Sequence, residues 1–241
     1  MWLDTFIAVP LIGLQTAPNF GALYKYPERL QPLLDEVVAR DSEVQVGVEP
    51  AGGFQFRTKR GFAYKVLLDN VIVEFTYSAS DKRLAGHRPA IELPPVESFG
   101  ALLEETVDQA ARVVSLLSAS EPLRVRRVGL LASALMEKSK APPGVADMIG
   151  RHGSFFSGDL IKAESTFVVD LDRAEAHTDR CHHAYAFDDA ERPDHLTVKL
   201  DWQRVFRVPL ALSAPTEQLR RMKDAALAYF ERVGQGGLRD A

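Results

Sequence analysis

The densest grouping of reactive side chains is His177-Thr178-Asp179-Arg180-Cys181-His182-His183, with Asp188 and Asp189 close behind. Imidazoles and a thiol are good soft-metal ligands, and Zn²⁺ takes such N and S donors tetrahedrally. If a strand begins at His183, Cys181 and His183 share a face and His182 points the other way. His177 would then return across a turn to complete the set. His177, Cys181 and His183 are therefore the candidate metal ligands, with Zn the ion they suit. The competing reading is a polar hairpin turn with solvated histidines, because no second CxxC or HExxH partner accompanies the group.

Carboxylates offer a second chemistry. Asp170 and Asp172 lie two apart and share one face of a strand, with Asp201 a candidate cross-strand neighbour. Such a set can hold Mg²⁺ or divide acid and base roles. A solvent-facing strand produces the same alternation. Three basic clusters form a third set: Lys59, Arg60 and Lys65; Lys82, Arg83, His87 and Arg88; Arg124, Arg126 and Arg127. Phe54, Phe56, Phe62 and Tyr64 accompany the first cluster, and cations beside stacking rings are what a single-strand nucleic-acid binder uses. Lys59, Arg60, Arg124 and Arg126 are the candidate contacts. Rings at period two are also the usual underside of a helix.

No GxxxxGK[ST] loop, GxGxxG turn or GxSxG elbow is present, so nucleotide hydrolysis and α/β-hydrolase chemistry have no support. The chain has 241 residues, 46% hydrophobic and 26% charged, which excludes a disordered tail or a fibrous repeat. Its net charge of −4 lacks the basic surplus of a dedicated duplex binder. Cys181 is the only cysteine, so an intramolecular disulfide is excluded. The longest apolar runs are about nine residues, against the roughly 20 of a membrane-spanning helix. A cytoplasmic, soluble protein is expected.

The elements that must position these residues follow from periodicity. Thr5 to Thr16 reads as a strand, with Pro10 marking an edge or a bulge. Leu30, Leu33, Leu34, Val37 and Val38 form one stripe of a helix that starts near Pro27. Period two then governs Val44 to Tyr77, broken at three turns into four antiparallel strands. A turn-rich stretch, Ser78 to Pro95, leads to the strongest helix, with Phe99, Leu102, Leu103, Val107, Ala110, Val114 and Leu117 on one face. After Pro122 come a strand from Leu123, a short helix from Pro142, and strands at 167–171, 183–187 and 196–202. A further strand is expected near Phe155 to Ile161. The last helix opens at Pro215 and stops at Gly234.

The order strand–helix–strands–helix thus reads twice, over 1–120 and 121–241. These are expected to be two α+β halves fused as one unit. If the halves are a duplication, each is a curved antiparallel sheet carrying a long helix, in a TATA-binding-protein-like or helix-grip topology. Three short stretches, Val46-Gly47-Val48-Glu49-Pro50, Arg126-Arg127-Val128-Gly129-Leu130 and Leu200-Asp201-Trp202, resemble in order and spacing a sporadically distributed family of uncharacterised bacterial proteins of about this length. That resemblance implies an α+β fold in a bacterial cytoplasm and carries no catalytic residues over. The leading expectation is a non-catalytic binding or adaptor protein, a subunit of a larger assembly with a protein partner. A metal-dependent enzyme or metal-binding protein and a single-stranded nucleic-acid binder are the alternatives.

Overall fold

A computed structural model of the chain describes residues 1–17, 26–40, 45–49, 53–77, 80–82, 90–92, 95–119, 122–154 and 160–236. A 3-10 turn (Trp2–Thr5) leads into β1 (Ile7–Thr16), followed by α1 (Tyr26–Arg40). Four short strands come next: β2 (Gln45–Glu49), β3 (Gly53–Arg57), β4 (Phe62–Leu67) and β5 (Asn70–Phe75). The turn-rich stretch contains a small separate ladder, β6 (Ser80–Lys82) with β7 (Ala90–Glu92). Then follow α2 (Phe99–Leu117), β8 (Arg124–Glu137) and α3 (Pro143–Gly153). The chain closes with β9 (Lys162–Arg173), β10 (His177–Asp188), β11 (His195–Ala211) and α4 (Pro215–Gln235).

All four helices form where the 3.6-residue stripes place them. Ser98 caps α2, its hydroxyl accepting from the Ala101 N–H at 3.2 Å, and satisfies a donor the first turn leaves unpaired. The strands of the second half run longer than expected. β8 continues to Glu137, β9 starts at Lys162, and β10 starts at His177. Of the strand expected near Phe155 to Ile161, residues 155–159 lie outside the described residues, and 160–161 precede β9. The C-terminal stop of α4 is Gly236, in the left-handed conformation at φ 83°, and not Gly234. Gly234 is helical and needed for space, because a Cβ there would overlap the Trp2 ring.

Nine strands form one antiparallel sheet in the order β2-β3-β4-β5-β1-β8-β11-β10-β9, which corrects the expectation of two sheets. The reason is the seam. β1 and β8 pair along the whole of β1, from Ile7↔Leu135 to Thr16↔Val125, so the two strand sets continue into each other. Pro10 therefore sits in a central strand rather than at an edge. It is tolerated because β1 outruns β5, whose ladder begins at Leu11↔Glu74 and leaves one flank of Pro10 unpaired.

The helices all lie on one face. α2 packs on β1 and β5, α4 on β11 and α2, α1 on α2, and α3 on α4. Beneath them alternate positions are buried: Ala8, Ile12 and Leu14 on β1, Val71, Val73 and Phe75 on β5, Leu130, Ala132 and Ala134 on β8, Val198, Leu200 and Trp202 on β11. The intervening residues of every one of these strands point to the opposite face, and no helix covers that face among the described residues.

The tightest backbone approach in the helical layer is Gly144, at the start of α3. A Cβ there would collide with the Val233 carbonyl and the Gly236 N–H of α4, which are backbone atoms with little room to yield. Gly150, on the same helix, has open space around it. Gly144→Ala is expected to destabilise by about 2–3 kcal/mol, lowering Tm by roughly 5–10 °C for a chain of this size. Gly150→Ala is expected to leave Tm unchanged or raise it slightly, through lost unfolded-state freedom. Thermal unfolding of the two variants side by side checks both.

Candidate binding face

The middle of the uncovered face is bare backbone. Gly13 of β1 pairs with Gly129 of β8, Gly129 pairs with Gln203 of β11, and Gln203 with Arg180 of β10. A glycine in a strand interior weakens it unless something needs the space, and two facing each other leave a floor without side chains. A Cβ at Gly129 would stand 3.2 Å from Asp201 Oδ1. Around this floor is a depression of about 170 Å³, walled by Leu11, Ile72 and Leu131 and by the polar side chains of Gln15, Asn70, Arg127, Asp201 and Gln203.

Three of those polar groups form a chain. Arg127 Nη1 donates to Gln203 Oε1 at 3.2 Å, and Gln203 Nε2 donates to Asp201 Oδ2 at 2.5 Å. Gln203 is buried, although it lies on the face without helices. Burial pushes the Asp201 carboxyl above its ordinary range. The Gln203 hydrogen bond and the charges of His182 and Arg127 pull the other way. The depression thus offers a fixed donor at Arg127 and a fixed acceptor at Asp201 over an apolar rim. At 170 Å³ it is well below the roughly 300–1,000 Å³ of small-molecule pockets. It is sized for one inserted side chain, the kind of well-packed pocket that dominates protein interfaces.

The expected metal ligands are placed differently from expectation. His177 to Asp188 is one strand, with no turn to bring His177 back. His177 and His183 are six positions apart, on the order of 20 Å at a strand's rise. Cys181 and His183 share the helix-covered side and are both fully buried. His183 uses both ring nitrogens, Nδ1 with the Tyr185 hydroxyl at 3.0 Å and Nε2 with the Tyr229 hydroxyl at 2.8 Å, and Phe167 stacks on its ring at 4.8 Å. The group ties β10 to α4. Burial pushes the Cys181 thiol strongly up, which keeps it a thiol. No group of three or more His, Cys, Asp or Glu side chains is placed to hold a metal ion among the described residues.

The carboxylates are also separated. Asp170 accepts from Arg173 at 2.5 Å, while Asp201 lies two strands away, opposite His182. The basic candidates do not converge. Arg60, in the β3–β4 turn, is forked onto Glu97 at 2.6 and 2.7 Å and reaches Glu105 at 3.0 Å. Arg124 and Arg126 are exposed at the far end of β8, where the ladder to β1 slips by one residue. The registers put Lys59 and Arg60 beyond Phe62↔Phe75, and Arg124 beyond Thr16↔Val125. Those ends are six residues apart along β1, on the order of 20 Å. Phe56, Phe62 and Tyr64 are buried under the helices. Arg83, His87 and Arg88 lie outside the described residues.

Arg127, Gln203 and Asp201 as a trio were missed by sequence reasoning, which placed Arg127 opposite Arg124 and Arg126 and paired Asp201 with Asp170. The usable signal was Gly13 and Gly129, each interrupting an apolar strand run.

The buried His183 sets a pH response. Burial is the main cause that lowers its pKa from 6.5 to about 4. Between those values the unfolded chain binds the proton and the folded chain does not, so stability is full above pH 6.5 and falls as the pH drops toward 4. At about 1.4 kcal/mol per unit the loss approaches roughly 3 kcal/mol. Asp201 works in the opposite sense: raised in the fold, it costs stability as pH climbs above the ordinary carboxylate value. His183→Phe is expected to flatten the acid arm between pH 6.5 and 4, and Asp201→Asn to raise stability at pH 8. Denaturant midpoints measured at pH 4, 5.5 and 8 check both.

No protein-family model and no curated protein matches the chain. Among solved structures it is similar to the rolling circle replication initiator protein from Geobacillus stearothermophilus, at 8% identity and a TM-score of 0.31, over 90% of this chain and 78% of that one. A likeness of that size carries no argument about fold or function.

Proposed function

We propose that the chain is a non-catalytic binding subunit that engages a protein partner through the uncovered face of its sheet, within a bacterial cytoplasmic assembly. The observation that carries this reading is the depression over Gly13 and Gly129, with its Arg127–Gln203–Asp201 chain held ready on a rigid sheet. Side chains fixed by their own hydrogen bonds lose little freedom on association, which favours a preformed recognition surface. No helix among the described residues is long and apolar enough to cross a membrane.

The duplication belongs to the same proposal. Reading outward from the β1–β8 seam, one side runs β1-β5-β4-β3-β2 and the other β8-β11-β10-β9. In each, the first strand is central, the last is beside it, and the earlier ones follow to the edge. That order supports two related halves in a TATA-binding-protein-like arrangement, the second with one strand fewer. Such an arrangement leaves a broad curved face for a macromolecule. A protein partner suits the face better than a nucleic acid, because no described Phe, Tyr or Trp ring lies on it for bases to stack on. Its charges are also mixed: Lys65 pairs with Glu74 at 2.9 Å, and Arg180 lies 3.8 Å from Asp170.

Isolation of the tagged full chain from its native cytoplasm at native abundance tests the reading. A stoichiometric protein partner is expected, lost in Gly129→Leu and in Arg127→Glu, and retained in Arg221→Ala on the exposed side of α4. Loss of a central contact should weaken the complex by about 2 kcal/mol, or roughly 30-fold. A partnerless monomer overturns the reading, as does a partner retained by both face variants when these are folded by circular dichroism.

A further inference from the structure

The two charged groups at the depression over Gly13 and Gly129 are each only partly used. Arg127 gives one N–H, from Nη1, to Gln203 Oε1 at 3.2 Å, and a guanidinium has five. Asp201 accepts from Gln203 Nε2 through Oδ2 at 2.5 Å. Its other oxygen, Oδ1, has no hydrogen-bond partner among the described residues. That oxygen overhangs the floor, 3.2 Å from where a Cβ on Gly129 would stand. A Cβ on Gly13 would meet nothing nearer than Leu11 Cδ2 at 3.8 Å, so the space continues across both glycines.

The registers set the two groups at opposite ends of this space. Gly129 pairs with Gln203; Arg127 lies two residues along β8 in one direction, and Asp201 two residues along β11 in the other. The gap between them is already spanned by one carboxamide, that of Gln203, whose stem lies beside the space over Gly129. A second carboxamide laid on the glycine floor would meet the same pair, with its oxygen toward Arg127 and its nitrogen toward Asp201 Oδ1. Other groups fit worse. A carboxylate would face Asp201 and an ammonium would face Arg127, each a like charge at close range. A hydroxyl is one atom and does not reach both ends. A purely apolar side chain would strip water from both charged groups and return no hydrogen bond. The rim of Leu11, Ile72 and Leu131 suits the methylenes that carry a carboxamide.

We propose that the depression receives a glutamine side chain of the protein partner, its Oε1 accepting from Arg127, its Nε2 donating to Asp201 Oδ1 and its methylenes against Leu11, Ile72 and Leu131. This rests on the reading of the open face as a protein-binding surface and names the anchor that surface takes. Gln203 is a positioning residue, holding Arg127 and Asp201 apart by the width of one amide.

Amide NMR titration of the full chain at pH 8 with N-acetylglutamine methylamide tests this, beside the glutamate and leucine equivalents. Saturable shifts centred on Gly13 and Gly129 are expected, with a Kd of roughly 1–10 mM for a lone anchor. The glutamine compound should bind about tenfold tighter than either comparison, and Arg127→Leu should remove that advantage. In Asp201→Asn the order should invert. The new amide keeps its oxygen on Gln203 and turns its nitrogen to the floor, so the glutamate compound becomes the tighter ligand. No saturable binding, equal affinity for the glutamine and glutamate compounds, or no inversion in folded Asp201→Asn overturns the proposal. So does tighter binding of adenosine, whose base edge offers the same donor and acceptor. A glutamine preference with no stoichiometric partner on native isolation sinks the reading of the face; a partner with no such preference sinks the anchor.

Discussion

The antiparallel pairing of β1 with β8 joins residues more than a hundred positions apart, and both halves of the molecule hang on it. On one flank β1 carries β5, β4, β3 and β2, and on the other β8 carries β11, β10 and β9. Because the pairing is in register through Gly13↔Gly129, it also builds the bare centre of the open face. A slip of one residue in β8 would turn Leu130 toward solvent and bring Leu131 and Gly129 under the helices. The seam fixes the core and the candidate site in a single step.

That coupling explains the division of labour between the two faces. The helix side takes nearly all the large apolar and aromatic side chains, and apart from the Thr16 hydroxyl, which is buried without a hydrogen-bond partner, the main polar groups that enter it are satisfied internally. His183 is held by Tyr185 and Tyr229, and Asp179 receives Arg204 at 2.7 and 2.6 Å. A buried polar group without a partner costs on the order of 1–3 kcal/mol, so such closed sets mark construction rather than chemistry. On the open face the polar groups are also linked, but Arg127 and Asp201 end their chain beside an empty depression. Partnered groups next to vacant space are what recognition requires.

Much of the fold was legible because it is local. The stripes of α2 and α4 declare themselves within twenty residues, and the short strands from Gln45 to Phe75 are separated by turn residues. The single sheet was not legible, since strand alternation says which face a residue takes and not which strand lies beside it. The same limit hid the trio on the face: Arg127, Asp201 and Gln203 come from two strands whose adjacency no local pattern encodes. It also made the His177–His183 run look denser than it is. An extended chain sends successive side chains to opposite faces and spreads seven residues over about 20 Å, so a crowd in sequence becomes a line in space.

The outer strand β9 ends the sheet with twelve residues and, among the described residues, no neighbour beyond it. Its exposed positions include Lys162, Glu164, Asp170 and Asp172, with Lys162 salt-bridged to Asp188 at 2.5 Å. A bare edge of that length would otherwise invite copies of the chain to stack strand on strand. Ionised side chains of both signs make this margin a poor template, because a second copy would have to strip them of water and oppose like charges at close range. The sheet can therefore leave one face uncovered by helices without its outer strand offering a ready template to a second copy.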